Sequence, residues 1–600
     1  MSIRCLIVGE AYGAQEEEAG APFVGASGIE LNEELEDAGW LPDGTAKEIN
    51  RHLYNAANGR ESWSNAVALR DRIFREHGLV LTNVVNARPP GNKIEAWFLN
   101  VTDGRKSGLP PVHDLWPNTI IREGTRQLQD AVRASEPRLV LCLGATPLWA
   151  IGGRSGITKW RGSSLYSAPG FLPGDQQVAI ACTLHPAAVL RDWPWRPVVV
   201  HDLKRALHET DYPTPEPEWQ FTVRPALSDT LDYLADLCRG NGDAPLVSDI
   251  ETTGGHITCI GFSDGPGRAI CIPFLDPGSA DGNYWRSARD EELVTFAIRR
   301  VLRGRRIVFH NGLYDMQVIQ SDWGFSPNWT DDTMIAQHVA FPGMLGAGLD
   351  PITGKASKKG SSLALSFIAS MYCAQYRYWK DDGRLWDPTI TDAESYWRYN
   401  CEDCARTFEC LTALLSILRE AGLLDQYAFQ CRELGPATLR MMRRGLRCDM
   451  ELRSMQLRST RTQLHDIERR LEYILGHPFN PQSAPQMRKL FYEDLCCPPQ
   501  WNGRGEARTL SCDDEALAKM GMVRPFLQPL IQRISDYRTL SVLGGKATGS
   551  SKSILTCRLS EDNRLRTTLG LCGAETFRYA SGPTAQGEGC NLQNILKVNE

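Results

Sequence analysis

Asp249 and Glu251 close an apolar run, Pro245 to Ile250, that reads as a β-strand. At i and i+2 on a strand both side chains leave the same face, so two anionic ligands stand side by side at the strand's end. Two more acids lie far away in sequence. Asp315 follows a second strand-like run, Arg306 to His310, and Asn311. Asp403 stands four residues after Tyr399 in a helical pattern, which puts the two one turn apart on one face. Four carboxylates are hard oxygen ligands suited to Mg²⁺ or Mn²⁺. Such a group can hold two ions roughly 3.5–4 Å apart, the arrangement for in-line attack on a phosphodiester. In that arrangement Asp403 holds metal and Tyr399 orients the attacking water.

With 600 residues, the chain is too long for one core and suggests roughly three to five units. Strands are expected at 3–9, ending in a glycine turn, at Leu79 to Val85 and at Arg138 to Leu143, with helix between them over Arg122 to Arg133. That alternation predicts an α/β layered domain. Three prolines within Asp211 to Trp219 predict a stiff linker and a boundary. A second α/β region follows, with a hairpin from Cys259–Phe262 and Ala269–Pro273. Ser361 to about Leu418 reads as mostly helical, and the helical pattern continues from Gln430 through Leu475. The expected fold class is α/β multidomain, with modules at 1–210, 221–425 and 426–600 joined by a linker at 211–220.

The net charge of −6 carries no global sign of nucleic-acid binding, although a local basic face suffices for it. Arg432 to Arg470 holds ten Arg against five acids, which fits either a solvated helix surface or a phosphate-facing one. Eighteen scattered cysteines suit a reducing cytoplasm, and Cys401 and Cys404 read as small apolar residues of a buried helix. The most apolar run, Leu139 to Gly153, is short of a membrane span and contains Pro147, so no membrane partner is expected. Glu16, Glu17 and Glu18 soon after the first strand argue against a secretory signal.

The ordered series Asp249-Ile-Glu251, His310-Asn-Gly-Leu-Tyr-Asp315 and Tyr399-Asn-Cys-Glu-Asp403 resembles the DnaQ-like 3′–5′ exonuclease domain of family A (DNA polymerase I-like) polymerases over about residues 222–420. The resemblance implies an RNase H-like fold, two divalent cations, and hydrolysis of mismatched nucleotides from single-stranded 3′ ends. It also places Asn311 against DNA. Further on, residues 433–449, Phe479 to Met487, Asp536 to Leu540, Thr576 to Ser581 and Asn591 to Ile595 resemble the thumb and first palm segments of the same family. There Thr576, Arg578, Asn591, Gln593 and Asn594 would lie along a primer–template duplex, where arginine and amide groups suit phosphate and minor-groove contacts. The family's catalytic aspartates and nucleotide-binding helix are expected after Glu600. Polymerisation would then need a separate C-terminal subunit or a longer chain.

Residues 9–25, Leu81 to Lys93, Leu143-Gly-Ala145, Arg161-Gly162 and His185-Pro186 resemble uracil-DNA glycosylases of the bacterial family-4 type across about residues 1–210. Such enzymes flip a base from the stack and grip its edge. The resemblance implies that Phe23 stacks on the base, Asn83 bonds its Watson–Crick edge, and His185 stabilises the departing uracil anion. Glu10 and Glu16 are the candidates to position water. The chain departs from that pattern at Tyr12, where the family has proline. It also lacks the cluster cysteines: it begins too late for the N-terminal pair, and Asn86-Ala87 replaces a cysteine-bearing step. No iron–sulfur cluster is expected. The combination resembles replicative polymerases of some large phages. The expectation is a DNA replication protein whose own chemistry is a 3′–5′ exonuclease. Two alternatives stay open: an active uracil-excision and nuclease repair enzyme, and a non-enzymatic DNA-binding subunit of a split polymerase.

Overall fold

The computed structural model describes residues 3–211, 218–343, 362–384, 392–502, 508–544, 553–584 and 586–594. The proline-dense stretch 212–217 and Ile595 lie outside the described residues. The chain divides into two compact units. One comprises Met1–Thr252, Ile257–Asp315 and Phe325–Ala428; the other comprises Thr253–His256, Met316–Gly324 and Phe429–Glu600.

Among the described residues the first unit holds two large sheets and a two-stranded ribbon of Phe98–Leu99 with Trp116–Pro117. Five strands, β1 (Cys5–Ala11), β2 (Leu79–Val85), β3 (Leu139–Leu143), β4 (Ser164–Tyr166) and β5 (Ala179–Thr183), lie in the order β2-β1-β3-β5-β4. The β2-β1, β1-β3 and β3-β5 pairs are parallel, and β4 runs antiparallel to β5. Parallel strands need crossovers, and helices such as α1 (Thr119–Ser135) and α2 (Ala145–Gly152) supply them. Leu6, Ile7, Val8 and all of β3 are buried, as expected of a sheet covered on both faces. The predicted turn at Gly9 is not formed. Gly9 pairs with Asn83 and the strand runs on to Ala11. Glycine is needed there for clearance, since a Cβ at Gly9 would meet Asn83 Oδ1 and Phe23 Cζ, each at 2.4 Å.

The second sheet has six strands: β6 (Gln220–Thr222), β7 (Pro245–Thr253), β8 (His256–Gly265), β9 (Arg268–Pro273), β10 (Arg306–Phe309) and β11 (Trp329–Asp332). Their order is β11-β10-β7-β8-β9-β6. β8 and β9 form the expected antiparallel hairpin, while β10 pairs in parallel with both β7 and β11. The 27-residue helix α4 (Glu394–Glu420) covers this sheet; α3 (Arg196–Asp211) precedes it in the chain. Trp397, Cys401, Cys404 and Leu411 of α4 pack into one core with Val247, Cys259, Cys271 and Val308. Cys401 and Cys404 are thus small core residues, as their spacing suggested.

In the second unit, α5 (Met450–Leu475) and α6 (Gln528–Gly544) share a core that includes Leu464, Leu471, Phe491, Ile534 and Tyr537. The helical pattern expected from Gln430 to Leu475 is broken at Gly445. Its φ is 57°, and a Cβ there would lie 2.7 Å from the Leu565 carbonyl. The two residues after it, Leu446–Arg447, pair as a short strand with Arg564–Leu565. Among the described residues no helix is long and apolar enough to cross a membrane.

Candidate functional sites

β7 delivers Asp249 and Glu251, and α4 delivers Asp403. One ligand oxygen from each lies within 4.8 Å of the others, forming a three-carboxylate group that can hold a metal ion. Asp315, at the start of the helix Leu313–Trp323, stands beside this trio rather than in it. Its Oδ1 accepts the Ile250 N–H at 3.2 Å, and the Asp249 charge acts on it. Burial, reinforced by the neighbouring Asp403 charge, pushes the Asp249 carboxyl up to about 7. Burial and the Asp249 charge hold Glu251 well above the usual carboxylate range, and Asp315 is raised by the same two causes. Burial still outweighs the one nearby cation, Lys380, and a hard divalent cation supplies the further positive charge that favours the ionised forms. The donor set therefore fits Mg²⁺ or Mn²⁺.

Several partners of the trio carry no legible sequence signal. Asn400, one residue after Tyr399, donates from Nδ2 to Asp249 Oδ2 at 2.9 Å and to the Asp249 carbonyl at 3.2 Å. Trp379 Nε1 donates to Asp403 Oδ1 at 2.6 Å, and Lys380 Nζ to Asp403 Oδ2 at 2.5 Å. Lys380 also donates to Tyr399 Oη at 3.1 Å. Burial, followed by the Asp403 and Glu251 charges, raises the Tyr399 phenol, so its hydroxyl stays protonated. Asn311 is exposed with φ 64°, and its N–H, like that of Gly312, donates to Asp332. Asp332 also caps the helix Thr333–Ala340, which fixes the loop from which Asp315 emerges. Its sequence, an Asp331-Asp332 pair at a strand end, carries no hint of that role.

A second group gathers where β1, β2 and β3 end. In this strand order the direction of winding reverses between β1 and β3, and crevices at such switch points bind ligands. Phe23 and His185 stack with ring centroids 5.7 Å apart, and Asn83 Oδ1 faces the same Gly9 backbone that Phe23 covers. His185 Nδ1 accepts the Ala187 N–H at 3.2 Å, which leaves the ring proton on Nε2. Burial, aided by the Arg191 charge, pulls this histidine down to about 4, so it is a neutral donor near pH 7. Glu10 is raised by burial and accepts from Thr146 Oγ1 at 2.5 Å.

The two candidate glutamates separate clearly. Glu16 Oε1 accepts the N–H groups of Val24 at 3.2 Å and Gly25 at 2.8 Å, and Oε2 accepts that of Gly13 at 3.1 Å. It ties the 13–25 loop together and so shapes the crevice indirectly. Glu10 keeps one oxygen for other partners.

In the second unit, Thr576 and Arg578 are exposed just before the strand Ala580–Gly582. Asn591 Oδ1 accepts from Ser581 Oγ at 2.9 Å, and Gln593 Nε2 donates to the Tyr579 carbonyl. These amides brace the 579–593 turn. Asn594 closes the same short helical turn.

Residues 2–204 match the family described as the uracil DNA glycosylase superfamily, so the chain carries a domain of that superfamily. The chain is also similar to "DNA polymerase I" of Treponema pallidum (strain Nichols), at 27% identity over 198 residues. That match takes in 33% of this chain and 18% of the relative, so the chain spans less than a fifth of the relative's length. A solved structure, the "POL domain of Pol1 from M. smegmatis complex with DNA primer-template and dNTP", aligns at a TM-score of 0.44 and 17% identity. It covers 64% of this chain and 56% of that one.

Proposed function

We propose that this chain is the N-terminal part of a family A DNA polymerase of the phage type, acting in DNA replication, with a metal-dependent 3′–5′ exonuclease as its own chemistry. The observation that carries this reading is the Asp249–Glu251–Asp403 trio, with its ligand atoms within 4.8 Å of one another and Tyr399 one helical turn from Asp403. The similarity to DNA polymerase I supports it. Held by Asp249, Glu251 and Asp403, a divalent metal would supply Lewis-acid activation of water near neutral pH and offset the charge that develops on phosphate. The chain's own residues do the positioning. Asn400 fixes Asp249, Trp379 and Lys380 fix Asp403, and the Tyr399 hydroxyl is a donor for the attacking water or the phosphate. The DNA partners are a primer–template and its frayed single-stranded 3′ end, contacted by Asn311 and by Arg578. Asn591, Gln593 and Asn594 follow along the duplex.

The test is incubation of the chain with Mg²⁺ and a 3′-mismatched primer. Degradation is expected, and Asp249→Ala with Glu251→Ala abolishes it while leaving DNA binding nearly intact. A double variant that still degrades primer refutes the site.

A second reading, uracil excision by the N-terminal domain, is favoured by the neutral His185. Its Nε2–H can donate to a carbonyl oxygen that gains charge as the base leaves, while Phe23 and Asn83 hold the base and Glu10 faces the sugar side. A uracil-containing oligonucleotide followed by alkaline cleavage tests it.

A further inference from the structure

We propose that Lys380 is a built-in cation of the acidic centre, holding the place of one divalent ion so that the centre takes a single Mg²⁺ or Mn²⁺. This deepens the nuclease reading and rests on its view of the trio as a metal centre. Nζ of Lys380 lies 2.5 Å from Asp403 Oδ2 and 3.1 Å from Tyr399 Oη, and 5.1 Å from the centroid of the Tyr399 ring. The other Asp403 oxygen takes the Trp379 indole N–H at 2.6 Å. Two consecutive residues thus engage both oxygens of the carboxylate that α4 contributes. Among the described residues, the trio is the only group of three acidic, histidine or cysteine ligands able to hold an ion. An ammonium is a compact point charge with three donors, suited to stand among carboxylates where a small cation would.

Lys380 is held there from behind. The segment that carries it is fastened to the N-terminal sheet region of the same unit. Tyr378 N–H donates to Ser163 Oγ at 3.2 Å, and Ser164 N–H donates to the Tyr376 carbonyl at 3.0 Å. Lys159 pairs with Asp381, and the Tyr378 ring sits edge-on to Trp160 at 5.1 Å. Trp379 itself is only 1% exposed. Swinging the lysine away to admit a second ion would mean breaking its bonds to Asp403 and Tyr399.

The test counts Mn²⁺ bound to the full chain at pH 8 by electron paramagnetic resonance of the free ion. One Mn²⁺ per chain is expected for the native protein and for Lys380→Arg. Two are expected for Lys380→Met, and also for Lys380→Gln, which keeps a donor to Asp403 without the charge. None is expected for Asp249→Asn with Glu251→Gln. A native count of two or of none overturns the assignment, and so does a count of one in whichever neutral variant folds by circular dichroism. Should the counts hold while mismatched primer stays intact, the exonuclease reading fails and the lysine assignment stands.

Discussion

Lowering the pH should loosen the metal from the acidic centre far above the pH at which ordinary carboxylates protonate. Asp249 is raised to about 7, chiefly by burial and then by the Asp403 charge, with Lys380 and the Asn400 bond pulling the other way. A metal binds the ionised form, so the apparent Kd is multiplied by one plus the ratio of proton concentration to the acid constant. For a group near 7 that factor is about 1.1 at pH 8 and about 11 at pH 6, roughly a tenfold loss, or about 1.4 kcal/mol. Glu251, also raised, makes the slope steeper. With ordinary carboxylates near 4 the factor at pH 6 would be only about 1.01. Mn²⁺ titrations between pH 8 and pH 5.5, read by the resonance of the free ion, give the slope. A Kd that changes by less than about twofold from pH 8 to pH 6 refutes the electrostatic account. Asn400→Ala removes a bond that favours the ionised form and should move the transition to higher pH. The sign for folding follows from the same shift. A carboxyl raised in the folded state contributes stability that is fully present below its unfolded value near 4 and lost as pH rises through about 7. The metal-free protein should therefore melt at lower temperature at pH 8 than at pH 5, and Mn²⁺ should restore the difference.

Other perturbations read other parts of the chain. Arg161→Met strips the partner from Asp202, a pair whose side chains are 1% and 2% exposed and bonded at 2.8 and 2.5 Å. Leaving that carboxylate buried with Thr183 for company should cost about 3–5 kcal/mol in urea unfolding, and a loss under about 1 kcal/mol refutes the ion-pair argument. Asn83→Ala should erase any uracil excision, and persistent excision means the base edge is read elsewhere. Arg578→Ala should weaken primer–template binding about evenly across sequences and lower the salt slope by about one, as measured by fluorescence anisotropy.

The strands were legible in sequence where burial on both faces forces a continuous apolar run, as at Leu139–Leu143, and where apolar residues frame a few polar ones, as at the edge strand Leu79–Val85. The hairpin of β8 and β9 was legible from its flanking turn residues. The Asp249–Glu251 pair and the Tyr399–Asp403 turn were legible because periods of two and of nearly four fix which side chains share a face. Contacts between remote segments were not. Gly9 reads as a turn because glycine permits one, whereas its role here is to leave room for Asn83 and Phe23. Glu16 reads as a free acid because sequence shows the carboxylate and not the three backbone N–H groups that occupy it. Nothing in Trp379-Lys380 marks the pair as Asp403's partners, since no periodicity links a short helical turn to a helix two dozen residues further on.

The same blindness explains why the four acids look equivalent in sequence and unequal in space. Local spacing sets where a side chain leaves the backbone, and it cannot say what meets it. Asp249 meets Asn400, Asp403 meets a lysine and an indole, and Asp315 meets a backbone amide. Each partner withdraws lone pairs from whatever binds at the centre. A cluster of four carboxylates in like surroundings would invite two ions, whereas here an ammonium already stands against one of them, at Asp403. The partners of an acidic centre therefore decide how many ions it takes, and in this chain those partners come from Asn400 on the same helix as Asp403 and from a segment anchored to the neighbouring sheet.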